Sequence, residues 1–295
     1  MKTIVSRLLL PVTVVGSLAA FLLARAANAN LELFVLSVTV ATLLVSVMLE
    51  RVMPFRKQWN KSQGDFKTDI ASAGVLIGVV DPLLKYFAPL VVVSLYAVFA
   101  LGSGESIFPS DAPFAVQLVL ATLLIEFGRY WAHRLHHTNR YLWWLHAMHH
   151  SSERLYAVNN FRFHPLNYLI NFSVSVLPLM LMGVPSDVLF GYMAISQPVL
   201  MLQHANIDLR SGWLNYVFST NELHRWHHSV NTVEANNNYG SGFILWDIVF
   251  RTFKYQASEN SPKHIGLFSQ SGAYPAKRSY VAQLLSVFSP QCCKA

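Results

Sequence analysis

The sequence predicts an all-α integral membrane protein of about six transmembrane helices, with a cytoplasmic helical cap that carries a histidine cluster. Three observations carry this expectation. Of 295 residues, 53% are hydrophobic and only 13% charged, and the mean hydropathy is +0.36, more apolar than the surface of a soluble chain requires. Stretches near 8–24, 31–49, 69–101, 113–131, 166–182 and 188–203 are long enough to cross a hydrocarbon layer of about 30 Å. Eleven of the twelve histidines fall between His133 and His228, a window of 96 residues where even scattering would place about four.

The first stretch has Lys2 and Arg7 ahead of it and Ala27-Asn28-Ala29 behind, so it reads as a signal peptide or as an anchor with its N-terminus inside. Both readings leave Asn30 outside, and the second stretch then runs inward to Glu50 and Arg51. Residues 51–67 carry Arg51, Arg56, Lys57, Lys61 and Lys67, whereas 102–112 has Glu105 and Asp111 and no Lys or Arg, which puts the former in the cytoplasm. The third stretch has 33 residues, about 50 Å of helix, and is interrupted by Asp81-Pro82 and Lys85. One net crossing by a broken helix is expected, with a pair of shallow segments as the alternative. The last two stretches form a hairpin turned at Gly183-Val184-Pro185-Ser186-Asp187, which returns the chain to the cytoplasmic side near His204. The division expected is 1–112 for N-terminal transmembrane helices, 113–253 for the histidine-bearing domain and 254–295 for a polar C-terminal tail.

Several classes are excluded. The net charge of +7 comes from scattered basic residues that follow the ends of apolar segments, so no nucleic-acid partner is expected. Cys292 and Cys293 are too few for an iron–sulfur cluster, a zinc ribbon or a disulfide framework, and the residues after them lack the aliphatic pair that prenylation requires.

The histidines form three groups: His133-Arg-Leu-His136-His137, His146-Ala-Met-His149-His150 and His224-Arg-Trp-His227-His228, with His164 and His204 between them. On a helix, residues at i, i+3 and i+4 are neighbours, so the H-x-x-H-H runs at 146–150 and 224–228 are each expected to aim three imidazoles into one volume, and His133 and His137 of the first group add two more by the i, i+4 relation. Eight convergent nitrogens suit two metal ions with about four protein ligands each. Metal coordination is the usual way to keep many neutral imidazoles close together. Imidazole alone does not choose among iron, zinc, copper and nickel. Arg134 follows His133 and no H-E-x-x-H occurs, which disfavours zinc-protease chemistry, and haem takes only one or two axial histidines.

The run Glu126-Phe-Gly-Arg-Tyr-Trp-Ala-His133-Arg134-Leu-His136-His137, with Leu142-Trp143-Trp144-Leu-His146-Ala-Met-His149-His150-Ser151, Phe161-Arg162-Phe163-His164-Pro165, Gln203-His204-Ala205-Asn206 and His224-Arg225-Trp226-His227-His228-Ser229, resembles the membrane-bound fatty acid hydroxylase and sterol desaturase superfamily. Asn238-Tyr239-Gly240 and Trp246-Asp247 close the likeness, which covers roughly 126–253, and Glu50-Arg51-Val-Met-Pro54 looks like the family's boundary before its first cytoplasmic loop. The resemblance implies a non-haem di-iron centre, with zinc as a substitute occupant, that activates O₂ and oxidises an unactivated lipid C–H bond to an alcohol or an alkene. It implies as ligands His133 and His137, then His146, His149 and His150, then His224, His227 and His228, completed by His204 and His164. His136 lies outside the pattern. The chain departs from the family where a Pro before the third box is replaced by Thr220-Asn221-Glu222-Leu223, and where Phe-Gly-Thr appears as Phe250-Arg251-Thr252.

Metal-bound histidines normally donate their other ring N–H to an acceptor. Glu126, two helical turns before His133, is expected either as that acceptor or as an interfacial carboxylate paired with Arg129 or Arg134, with Asp247 a weaker candidate that reads more simply as a cap or a salt bridge of the C-terminal region. Arg134, Arg162 and Arg225 beside the boxes are expected in structural or electron-donor docking roles, and Trp131, Trp143, Trp144, Trp213 and Trp226 in an interfacial belt. The chain has no Gly-x-Gly-x-x-Gly and no cysteine cluster, so a separate electron carrier and reductase are expected beside the lipid and O₂. The rival readings are a metal transporter or storage protein, whose histidines belong near the bilayer midplane, and a zinc-dependent lipid hydrolase, which needs no O₂.

Overall fold

Apolar composition makes helices the only open-chain way to satisfy the backbone in lipid, and helices account for the fold. The structure, a computed structural model, describes residues 2–98, 106–256 and 261–293. Among these there are no strands, only isolated bridges such as Pro54 with Ile207. Four helices are long and apolar enough to cross a membrane: α1 (Lys2–Ala26), α2 (Leu31–Val52), α3 (Phe66–Val98) and α4 (Phe114–Thr138). They are followed by α5 (Arg140–His150), α6 (Pro165–Leu181, interrupted at Val176), α7 (Ser186–Gln203) and α8 (Asn221–His227).

Of the six stretches expected to span, those that form α6 and α7 are not among the four helices long and apolar enough to cross. α6 is a shorter apolar helix. α7 is 18 residues long and lies at the centre of the bundle against α1, α2 and α4. A helix enclosed by protein need not be apolar all round, because its polar groups find partners there. The Tyr192 hydroxyl donates to Glu126 at 2.6 Å and Gln203 Nε2 to the Ser219 carbonyl at 2.8 Å.

The third stretch is one helical run. Its break is a π-turn at Leu76–Val80 directly before Asp81-Pro82, which makes room for a ring that has no N–H and crowds the preceding turn. Lys85 pairs with Asp81 at 3.0 Å and with Glu32 at 2.8 Å on the flank of the bundle. The last residues of the expected stretch, and Glu105, lie outside the described residues.

α1 is packed as a bundle member, with Phe21 fully buried, Ser17 donating to the Ala194 carbonyl and Arg25 paired with Asp187 at 2.7 Å. At the opposite end of the bundle, the start of α1, the end of α2, the start of α3 and the ends of α4 and α7 come together. There Arg210 N donates to Ser6 O, and Glu50 accepts from Ala157 N and Asn206 N.

Two buried ion pairs fix this end. Arg154 grips Asp65 with two nitrogens at 2.7 and 2.8 Å, and Arg162 binds Asp69 at 2.8 Å while its Nε donates to Met148 O and Ser151 Oγ. Tyr156 also donates to Asp69. Arg162 and Arg225 are buried to 1 and 2% exposure, so neither offers a docking surface. Arg162→Met leaves the Asp69 carboxylate without its cation and is expected to cost about 3–5 kcal/mol. The check is the unfolding midpoint in detergent; a loss below about 1 kcal/mol would show that the pair carries no net charge interaction.

The interfacial-belt expectation fails for three tryptophans. Trp143, Trp144 and Trp226 are buried, and only Trp213 is strongly exposed. Trp143 Nε1 donates to Ser271 and Trp144 Nε1 to Ser286, and the Trp143 ring stacks on Phe268 at 4.1 Å. Residues 261–293, which read as a polar tail, thus supply Phe268, Tyr274 and Tyr280 to a core built on α5.

Candidate metal centre

Local caps aim the histidine helices. Asn139 ends α4 and its Oδ1 accepts from Tyr141 N and Leu142 N to start α5, so the first two boxes face each other across one bend. Thr220 caps α8 through Leu223 N. Asn221 Nδ2 donates to the carbonyls of Leu202, Gln203 and Ala205, clamping the end of α7, and with it His204, to the third box. The sequence that replaces the family's proline is therefore a cap plus a clamp. Arg251 sits at a φ of +61°, a conformation that favours the glycine of the family's Phe-Gly-Thr.

Nine imidazoles gather in two groups, each with its nitrogens within 4.8 Å of one another. One holds His133, His137, His146, His150 and His227; the other holds His149, His204, His224 and His228. The groups share a wall, with the His150 and His228 rings stacked at 4.3 Å. All nine are buried except His133, which is half-buried.

The expectation that each H-x-x-H-H run feeds one volume is corrected. At 100° per residue, i and i+4 lie about 40° apart, whereas i+3 is about 100° from i+4. His133 with His137, His146 with His150 and His224 with His228 are the i, i+4 pairs and stay together, while His149 and His227 turn into the other group. His136, the i+3 member of the first run, belongs to neither group although its ring lies 5.6 Å from that of His146: its Nδ1 meets Ala132 O at 2.6 Å and its Nε2 is buried without a partner. His164 also stands apart from both groups. It caps α6, with its Nδ1 accepting from Leu166 N at 3.1 Å and its Nε2 near Leu284 O.

Ring tautomers follow from the acceptors behind the histidines. Nδ1 donates to a carbonyl in His133 (Tyr239 O, 2.8 Å), His149 (Arg162 O, 3.3 Å) and His227 (Asn237 O, 3.0 Å). It donates to a side-chain amide oxygen in His137 (Asn236, 3.3 Å), His146 (Asn167, 2.8 Å) and His204 (Asn159, 2.7 Å). Asn159 is oriented in turn, because its Nδ2 donates to Arg154 O. A ring that is protonated at Nδ1 and neutral carries a bare lone pair at Nε2. His133 and His146 then point two lone pairs at each other across 3.1 Å, and His204 and His224 bring their Nε2 atoms to 2.8 Å. Nε2 of His137 and His227 and both nitrogens of His150 are buried with no partner. Converging lone pairs with no donor between them are the donor set of a cation site.

Burial, then the neighbouring imidazoles, pushes His146, His149, His150, His224 and His228 well below the usual histidine range. Burial also pushes His204 down to about 3 and His227 to about 4. The rings are therefore neutral and ready to coordinate near neutral pH. Neither group contains a carboxylate.

Glu126 does not reach a histidine. Its carboxylate accepts from Tyr192 OH, from Gly242 N and from Phe243 N, and so ties α4 and α7 to the loop at 239–243. Asp247 accepts from Tyr239 N, Gly240 N and Thr252 Oγ1, holding the peptide whose carbonyl orients His133. Burial raises the Asp247 carboxyl to about 7 against those donors. The acceptors missed from sequence are Asn159, Asn167 and Asn236; an asparagine in a turn has too many ordinary uses to signal this one.

A model of the fatty acid hydroxylase family matches residues 118–252. The ornithine lipid hydroxylase OlsE of Rhizobium tropici is 34% identical over 254 residues, covering 85% of this chain and 75% of that protein. The human alkylglycerol monooxygenase is 25% identical over 181 residues, 61% of this chain and 39% of that protein. The Caenorhabditis elegans alkylglycerol monooxygenase is 30% identical over 79 residues, 27% of this chain and 16% of that protein. No solved structure matches.

Proposed function

From the premise that this chain belongs to the fatty acid hydroxylase and sterol desaturase superfamily, and is a membrane oxidoreductase of its lipid-hydroxylating kind, we propose that it inserts one oxygen atom of O₂ into a C–H bond of an ornithine-containing lipid at two histidine-held iron ions. The observation that carries the reading is the pair of imidazole groups with lone pairs aimed inward. Bound iron would supply the oxidising power, one oxygen atom ending as a hydroxyl on the lipid and the other as water, with electrons from a separate carrier and reductase. The nine grouped histidines are the proposed ligands, without His164.

The chain's own contribution is positional. The backbone carbonyls and asparagine amides behind the rings fix their tautomers, burial excludes bulk water, and the helix ends hold the rings before a ligand arrives. Hydroxylation is favoured over desaturation because the relatives are a named hydroxylase and named monooxygenases. The site's place at the ends of α4 and α7, not midway along them, speaks against translocation of a metal. Arg51, Arg56, Lys57, Lys61 and Lys67 lie towards the same end, which supports a cytoplasmic site.

Lipid mass spectrometry of aerobic cells with and without the gene tests the reading. A lipid gaining one oxygen is expected, together with iron in the purified protein. No new lipid, or the same product without O₂, would overturn it. Asn167→Ala frees the His146 ring and is expected to weaken metal binding about 10–100-fold, read by chelator competition; unchanged affinity would show that Asn167 does not set that ring.

A further inference from the structure

On α4 the residues Glu126, Arg129, His133 and His137 follow one another along one face. Arg129 lies one turn before His133, about 6 Å along the axis, and about 14 Å in from the end of the helix at Thr138. A cation at that depth in a spanning helix is expensive unless something answers its charge. Arg154 and Arg162, on the other side of the histidines, are each locked to an aspartate. Arg129 is not: among the described residues it makes no ion pair, and the hydrogen bond it does make runs from Nη1 to Ser241 Oγ at 3.1 Å. Its guanidinium also lies over the Tyr192 ring at 5.5 Å.

Glu126, one turn earlier, is occupied elsewhere, with both oxygens taken by Tyr192 OH and the N–H groups of Gly242 and Phe243. It balances charge at a distance and leaves most of the guanidinium donors uncommitted. Arg129 is half-buried, and the histidine next to it on this face, His133, is the one grouped imidazole that is not fully buried. The least buried member of the five-histidine group and the uncommitted guanidinium are thus on the same face.

The geometry points to Arg129 as the seat of an oxyanion of the substrate headgroup, a carboxylate in an ornithine lipid, so that this contact sets which carbon of the lipid lies beside the five-histidine group. A planar guanidinium takes a carboxylate through two parallel N–H···O bonds, a geometry an ammonium cannot reproduce. The assignment rests on the proposed lipid substrate and adds a positioning and specificity residue to it. It also separates this chain's substrate from an alkylglycerol, which offers no anion.

The test is direct binding to the full-length, detergent-purified protein, comparing an ornithine lipid with its carboxyl methyl ester. The native protein is expected to bind the carboxylate form at least about tenfold more tightly. In Arg129→Gln the ratio should fall to near one, and in Arg129→Lys part of it should return, with metal content unchanged in both. Equal binding of the two lipids by the native protein, no binding of either, a preference for an uncharged alkylglycerol, or a preference kept in Arg129→Gln would overturn the assignment. The native comparison decides even where a variant does not fold. Hydroxylation of the bound lipid is scored separately: a carboxylate preference without any oxidation would sink the proposed reaction and leave the seat standing.

Discussion

His227→Ala and His204→Ala are each expected to abolish lipid hydroxylation and to lower bound metal, while His264→Ala does neither. The two are chosen from different groups. His227 enters the five-histidine group with its Nδ1 held by Asn237 O, and His204 enters the four-histidine group with its Nδ1 held by Asn159. Removing a ring that is already fixed and neutral takes away a ligand outright, so the loss should exceed the roughly 10–100-fold that accompanies loss of a supporting hydrogen bond. Because the groups share the His150–His228 wall, emptying one also disturbs the other, and both variants should be inactive although only one group is cut. His264 is exposed, away from both groups. His164→Ala adds a discriminating case: it should cost about 1 kcal/mol of stability through its lost cap and leave metal content intact. Elemental analysis and product formation on the same preparations check all four. Equal metal loss in His164→Ala and His204→Ala would show that the grouping is wrong.

The helical membrane body was legible because hydrophobic length is a one-dimensional property, and so was the gathering of the histidines, because spacing on a helix is fixed by its pitch. What spacing could not give was the partition. Knowing that His146, His149 and His150 share a helix does not say that His149 leaves its neighbours for His204, since that depends on where α7 ends, and α7 ends where Asn221 clamps it. His164 reads like a ligand in its motif, yet beside Pro165 its ring serves the first turn of α6. Glu126, expected as the acceptor behind a histidine, serves a loop instead, because a helical face tells the direction of a side chain and not what a distant loop will bring to it; Gly242 and Phe243 arrive from more than a hundred residues away. The tryptophans misled for a related reason. Their amphipathic rings suit an interface, and only the return of residues 261–293 over α5 turns Trp143 and Trp144 into core.

Acidification should empty and loosen the same site. In the metal-free cluster His204 is held down to about 3 and His227 to about 4, chiefly by burial, whereas an unfolded histidine titrates near 6.5. Between those values the unfolded chain binds protons that the folded chain refuses. The stability contributed by these rings is therefore complete above about pH 6.5 and is lost as pH falls towards 3–4. By pH 5 each of the two has lost about 2 kcal/mol, together a sizeable part of the roughly 5–15 kcal/mol that usually holds a fold. Bound metal acts with the same sign, because a proton and a metal compete for one lone pair, and its loss removes a ligand that had stabilised the folded state alone. Desalting at pH 5 is expected to strip the metal and lower the unfolding midpoint, and both should recover when metal is restored at pH 7. Retention of the full metal content at pH 5, with an unchanged midpoint, would mean that the imidazoles are not what holds it.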